Sequence, residues 1–179
     1  MLTAHLPSGY LLGTQATRWP WARNLRPGLR LGSAMAGAMA PDLDMLYFWL
    51  VDSGRVHHHT YLTHYPALWF SLLLPILLLR RFGYTGPVVT AGFLFVCGGC
   101  LHLLLDSVVG DIWWLAPFVD QPVALFTVDA RYSPWWLNFV LHWSFGLELA
   151  LWVGAALVWR QSALAGGDVR CNSRKNSVL

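Results

Sequence analysis

Residues 87–109, PVVTAGFLFVCGGCLHLLLDSVV, contain no Lys, Arg or Glu, yet they carry a histidine and an aspartate four residues apart. A run of about 20 apolar residues is what a helix needs to cross a bilayer core of about 30 Å, so this stretch is read as a membrane helix. On that helix His102 and Asp106 share one face, one turn apart. Ionisable groups inside a span are costly unless something compensates them. Two arrangements do so. His102 can hydrogen-bond Asp106 or a neighbouring helix as a structural tie, or both can face a shared metal ion.

The rest of the chain has the same character. Of its 179 residues 56% are hydrophobic and 12% charged, against about 25% charged in soluble domains. Mean hydropathy is +0.46. Tryptophans such as Trp19, Trp21, Trp113, Trp114, Trp135 and Trp159 flank apolar runs, where an aromatic belt is expected. The expectation is an all-α polytopic bundle of about four transmembrane spans, at 31–51, 66–79, 87–109 and 135–159. Residues 1–160 form one membrane-embedded domain and 161–179 a disordered basic tail. Residues 1–15 are too short to span and are placed at the interface. No secretory signal is evident, because no basic residue precedes Arg18 and Pro7 and Gly9 break the first apolar stretch. Three cysteines do not suggest a disulfide framework.

Charge sets the topology. Ten of the twelve Lys/Arg residues lie near the termini or in the 80–86 turn, the other two being Arg55 and Arg131. Positive-inside then puts both termini in the cytoplasm and the 52–65 and 110–134 loops outside. Arg18, Arg23, Arg26 and Arg30 read as a juxtamembrane signal, with contact to anionic lipid as the functional alternative. Nucleic acid is not an expected partner; membrane lipid is.

Within the first span, Gly32, Ala36 and Ala40 have the small-xxx-small spacing of close helix contacts. Pro41 interrupts the run and suits the first turn of a new helix. Asp42 and Asp44 would sit at that helix's positive end. Two residues apart, they cannot share one face, so one can bind a metal while the other caps the helix or supports a ligand. On a continuous span they would lie about 15 and 12 Å deep at the helical rise, unless tilt or the break at Pro41 raises them. His59 and His64 lie in the outer loop, His102 and Asp106 at the outer end of the third span. These four can meet. Imidazole mixed with carboxylate suits zinc first, then manganese or iron. Cys97-Gly-Gly-Cys100 is read as helix packing rather than a redox or metal motif. Glu148, near the middle of the fourth span, is a helix-pairing contact, a proton relay or a support for the site. His142, six residues earlier, lies on another face.

These motifs resemble those of the LexA-regulated, membrane-bound, metal-dependent hydrolases of bacteria. The early histidine matches His5. The PD-hydrophobic-D motif matches Pro41, Asp42, Leu43 and Asp44. The H-R-G-x-T-H-S motif matches His59, Thr63 and His64, with Thr60, Tyr61 and Tyr65 departing from it. The H-x-x-x-D motif with its following glycine and proline matches His102, Asp106, Gly110 and Pro117. The resemblance covers roughly residues 1–120. It implies a bacterial inner-membrane protein with His5, Asp42, His59, His64, His102 and Asp106 as metal ligands, and Asp42, Asp44 and Asp106 in catalysis. By analogy with zinc-dependent phospholipases C and single-strand nucleases, it implies a phosphoester substrate on a lipid or lipid-linked molecule. As a ligand, His5 must reach the outer side. The charge pattern puts it in the cytoplasm, and both hold only if residues 1–15 re-enter the membrane. The rival function is a metal-binding transporter or scaffold without catalysis, for which polar groups should be spread through the depth of the bundle.

Overall fold

The computed structural model describes every residue except 2, 54, 56 and 177–179, with side chains described as far as residue 164. Its described residues form seven α-helices: α1 (His5–Gln15), α2 (Pro27–Met39), α3 (Asp44–Leu50), α4 (Pro66–Arg81), α5 (Pro87–Asp106), α6 (Trp136–Val140) and α7 (Phe145–Asn176). The all-helical expectation holds among these residues, the one β contact being an isolated bridge between Ile112 and Val123. Proline starts α2, α4 and α5. At that position its missing N–H costs nothing and its fixed φ is already helical.

The four spans are not reproduced as drawn. α5 alone, among the described residues, is both long and apolar enough to cross a membrane. Its 20 residues measure about 30 Å at the helical rise. The expected first span is broken. α2 stops at Met39, a 3-10 turn takes Pro41–Leu43, and the seven-residue α3 follows. The expected fourth span is α6 and the start of α7, separated by a turn. α7 runs helically to Asn176, past the boundary at residue 160.

Residues 1–15 are not an interfacial skin. α1 folds back against α2 and also touches α5 and α7, burying His5, Pro7, Ser8, Gly9 and Gly13. The hairpin carries the chain from the His102 end of α5 to the basic end and back. Residue 1 therefore lies at the site end, where its amino group touches Asp106. α7 starts at that end too, with Glu148 beside Thr3, and runs away from it. Among the described residues, residue 1 and the far end of α7 thus lie towards opposite ends of the bundle, where the charge pattern expected both termini on one side. The α1–α2 hairpin moves the N-terminal segment to the site end without moving the arginines behind it.

Small residues hold α1, α2 and α5 together, in a different register from the one expected. Nothing lies near Gly32, whereas a Cβ on Gly37 would sit 1.9 Å from the Phe95 carbonyl oxygen, and one on Gly98 2.4 Å from that of Ala34. The buried stripe is Ala34, Gly37 and Ala38, met by Gly9 and Gly13 of α1. Gly99 receives the ring of Trp69 from α4, a Cβ there falling 2.1 Å from it. The two glycines of Cys97-Gly-Gly-Cys100 thus serve packing, as read from the sequence. At the opposite end Arg30 is a structural clamp, donating to the carbonyls of Gly13 at 3.0 Å and Leu25 at 3.3 Å. Arg80 lies over the Trp21 ring at 4.0 Å.

Candidate metal centre

Five segments deliver side chains to the end of α5. His102 and Asp106 come from α5 itself, His5 from the first turn of α1, Asp42 and Asp44 from the Pro41 break. His59 and His64 come from two successive 3-10 turns, His58–Thr60 and Leu62–His64. The break at Pro41 ends the depth problem, since it brings Asp42 Oδ1 within 3.7 Å of His102 Nε2. His64 and His102 are fully buried and Asp106 is 1% exposed.

Three imidazoles are oriented in the same way. His102 Nδ1 donates to the Ala38 carbonyl at 2.7 Å, and His59 Nδ1 to the Asp111 carbonyl at 3.0 Å. A carbonyl oxygen can only accept, so the ring N–H is on Nδ1 in both. His64 Nδ1 donates to Asp44 Oδ2 at 2.6 Å. With Nδ1 engaged in this way, each ring turns its Nε2 inward, and all three point at Asp106 Oδ2, at 3.0 Å for His102, 3.5 Å for His59 and 3.8 Å for His64. His64 Nε2 and His102 Nε2 are 3.3 Å apart. Burial pushes the His59 pKa down to about 2, outweighing the opposing pull of Asp106, so this ring is neutral near pH 7. Burial likewise takes His58 down to about 4, helped by His64 and His57.

The aspartates divide their work. Asp42 faces His64 and His102 at 3.9 and 3.7 Å. Asp44 stands behind His64, its Oδ2 also accepting from Thr63 Oγ1 at 2.6 Å, while its Oδ1 is buried without a hydrogen-bond partner. Asp44 therefore touches the centre through His64, the supporting place that the sequence left open for one of the two aspartates. His5 stacks on His102 with ring centroids 3.7 Å apart. Its Nε2 is 3.2 Å from Asp106 Oδ1 and its buried Nδ1 has no hydrogen-bond partner. The packing of α1 back against α2 brings His5 to the cluster.

The donor set fits a divalent ion. Metal-binding histidines usually donate their second ring nitrogen to a carboxylate or a backbone carbonyl, as these three do. Among the described residues, His58–His59–His64, His5–Asp42–His102 and His64–His102–Asp106 each offer ligand atoms within 4.8 Å of one another. Gly110 leaves room for one of them, since a Cβ there would fall 2.7 Å from His59 Cε1.

A family model described as "YdjM inner membrane protein" matches residues 1–166. The chain belongs to that family. Membership places it in the inner membrane, and the match extends into α7 as far as residue 166, which the motif resemblance had not reached. Comparison with curated proteins gives no match, and comparison with solved structures gives none either.

Several participants were not visible in the sequence. His58 joins His59 and His64, although the three-histidine run offered no reason to choose it. The Ala38 and Asp111 carbonyls carry no residue-type signal at all. Where the related motif has arginine, Thr60 makes a local turn bond to the His57 carbonyl at 2.7 Å. His142 stays outside the cluster, its Nδ1 paired with Ser144 Oγ at 2.9 Å. Glu148 accepts from the Thr3 backbone N–H and, at 2.9 Å, from its hydroxyl. It thereby ties α7 to the segment just before His5.

Proposed function

We propose that the protein is a zinc-dependent hydrolase that cleaves a phosphoester on a lipid or lipid-linked substrate. The observation that carries this reading is the convergence of three Nε2 atoms, from His59, His64 and His102, on one Asp106 oxygen. A proton on His102 would answer the contact with Asp106 as a simple structural tie. The Met1 amino group likewise answers Asp106 Oδ1, but neither accounts for the His59 and His64 Nε2 atoms aimed at Oδ2, and a cation at that point answers them together. A divalent ion held there supplies Lewis acidity and a water whose pKa falls to about 7.

The protein's own groups have distinct tasks in that scheme. Ala38, Asp111 and Asp44 hold the tautomers of His102, His59 and His64. Asp106 balances the positive charge. Asp42, the most exposed of the inner carboxylates at 30%, faces the adjoining cavity and accepts the proton of the attacking water. The site end faces the non-cytoplasmic side of the inner membrane, because Arg23, Arg26 and Arg81 lie towards the other end.

Metal analysis of the purified protein in lipid nanodiscs, with hydrolysis of bis(p-nitrophenyl) phosphate alongside, tests the proposal. His102→Ala and His64→Ala are expected to lose zinc and activity, while His142→Ala keeps both. Asp106→Asn, which keeps shape and removes charge, is expected to lose more than the roughly 10–100-fold typical of a supporting residue. Full metal and full hydrolysis in Asp106→Asn would overturn the assignment. Zinc bound without hydrolysis of any phosphoester tested would leave the transporter or scaffold reading.

A further inference from the structure

A cavity of about 580 Å³ opens beside the centre, within the usual range for small-molecule sites. Its lining combines Asp42, His59 and Asp106 with Phe126, Val128 and Phe139. The segment that carries these apolar residues is a constructed wall. Leu125 N–H donates to the Ser107 carbonyl at 2.8 Å and Phe126 N–H to that of Val108 at 3.0 Å, which fastens the strip directly after Asp106. Phe126 is braced edge-on by Trp143 at 4.9 Å. On the far side Asn138, 8% exposed, uses its whole amide. Its Oδ1 accepts from the Arg131 and Tyr132 N–H groups at 2.9 and 2.8 Å. Its Nδ2 donates to the Tyr132 and Trp135 carbonyls, both at 3.0 Å. That amide closes the 131–135 loop onto α6, which carries Phe139, and Trp135 joins the cavity lining.

We infer that this cavity is a subsite for the alkyl chain of an amphipathic phosphoester, with its phosphate at the His/Asp centre and its chain along Phe126, Val128 and Phe139, and that Asn138 is the positioning residue for the wall. The inference rests on the hydrolase reading and names the substrate class for it. Polar and apolar residues lining a single cavity, joined through the end of α5, match a ligand with one charged and one apolar end. Arg131 adds no competing charge to the wall, since it pairs with Asp129 at 2.7 Å.

Methyl-, butyl- and octylphosphonate, whose C–P bonds resist hydrolysis, test this by calorimetric titration of the zinc-loaded protein in nanodiscs. Affinity is expected to rise about fourfold per methylene in the wild type, the factor implied by burying one CH₂. Val128→Asp and Asn138→Ala are expected to flatten that slope, each read against its own methylphosphonate affinity. Thermal melting identifies a variant that fails to fold, and the other then decides. Equal slopes in wild type and variants mean that the chain enters the bilayer, which overturns the subsite and leaves the hydrolase reading standing. If neither zinc nor methylphosphonate binds, the hydrolase reading falls. Octanol then judges the cavity alone: binding lost in Val128→Asp supports an alkyl site, and binding unchanged overturns it.

Discussion

The seam between α2 and α5 and the His/Asp centre at its end use the same two helices in opposite ways. In the seam, side chains are absent so that backbones can meet, with Gly37 against Phe95 and Gly98 against Ala34. In the centre, side chains converge and the backbone serves as their anchor. The two regions join at Ala38, one residue beyond Gly37, whose carbonyl takes the His102 N–H. Close packing is therefore what sets the His102 tautomer. The polar centre depends on an apolar contact that contains no polar side chain.

The sharpest way to break that dependence is Gly37→Ala. A methyl 1.9 Å from a backbone oxygen cannot be relieved by a rotamer change, so the helices must separate. The destabilisation is expected at or above the upper end of the roughly 1–3 kcal/mol that overpacking costs. Zinc should be lost with it, because Ala38 leaves His102. Thermal melting and metal content measure both, and a folded, fully loaded Gly37→Ala protein would uncouple the two regions.

Asp44→Asn acts on the centre alone. It keeps an oxygen for His64 and Thr63 but loses the charge, and zinc affinity is expected to fall about 10–100-fold with little change in melting temperature. An effect as large as that of His64→Ala would put Asp44 among the direct ligands. Gly110→Ala is milder. Its methyl meets the edge of the His59 ring, a side chain that can shift, so a loss of affinity of at most about tenfold is expected, the low end for a supporting residue. The smallest effect belongs to Cys97→Ala with Cys100→Ala. Both cysteines are half-buried and free, and the glycines between them make the close contacts, so zinc content should not change. A change would return the motif to the list of metal sites.

The legible part of the site was its residue types. His59, His64, His102, Asp42 and Asp106 were identified by spacing and motif and do meet. Legibility failed where geometry depends on backbone. The small-residue register was misplaced because Gly32, Ala36 and Ala40 satisfy the spacing as well as Ala34 and Ala38 do, and only the partner helix distinguishes the two faces. Asp42 and Asp44 were equivalent until the Pro41 turn showed which one faces inward.

The sequence by itself determined the helical class, the membrane character and the inventory of imidazoles and carboxylates. Those follow from hydropathy, proline placement and side-chain chemistry, which are local properties. The tertiary structure alone decided that α1 folds back against α2, that Asp44 stands behind His64, and that Asn138 ties the 131–135 loop to α6 beside the centre. The wall and the orientation of His59 and His102 depend on which carbonyl or N–H lies within about 3 Å of a side chain. Backbone groups are the same in every residue, so no pattern of residue types encodes those distances.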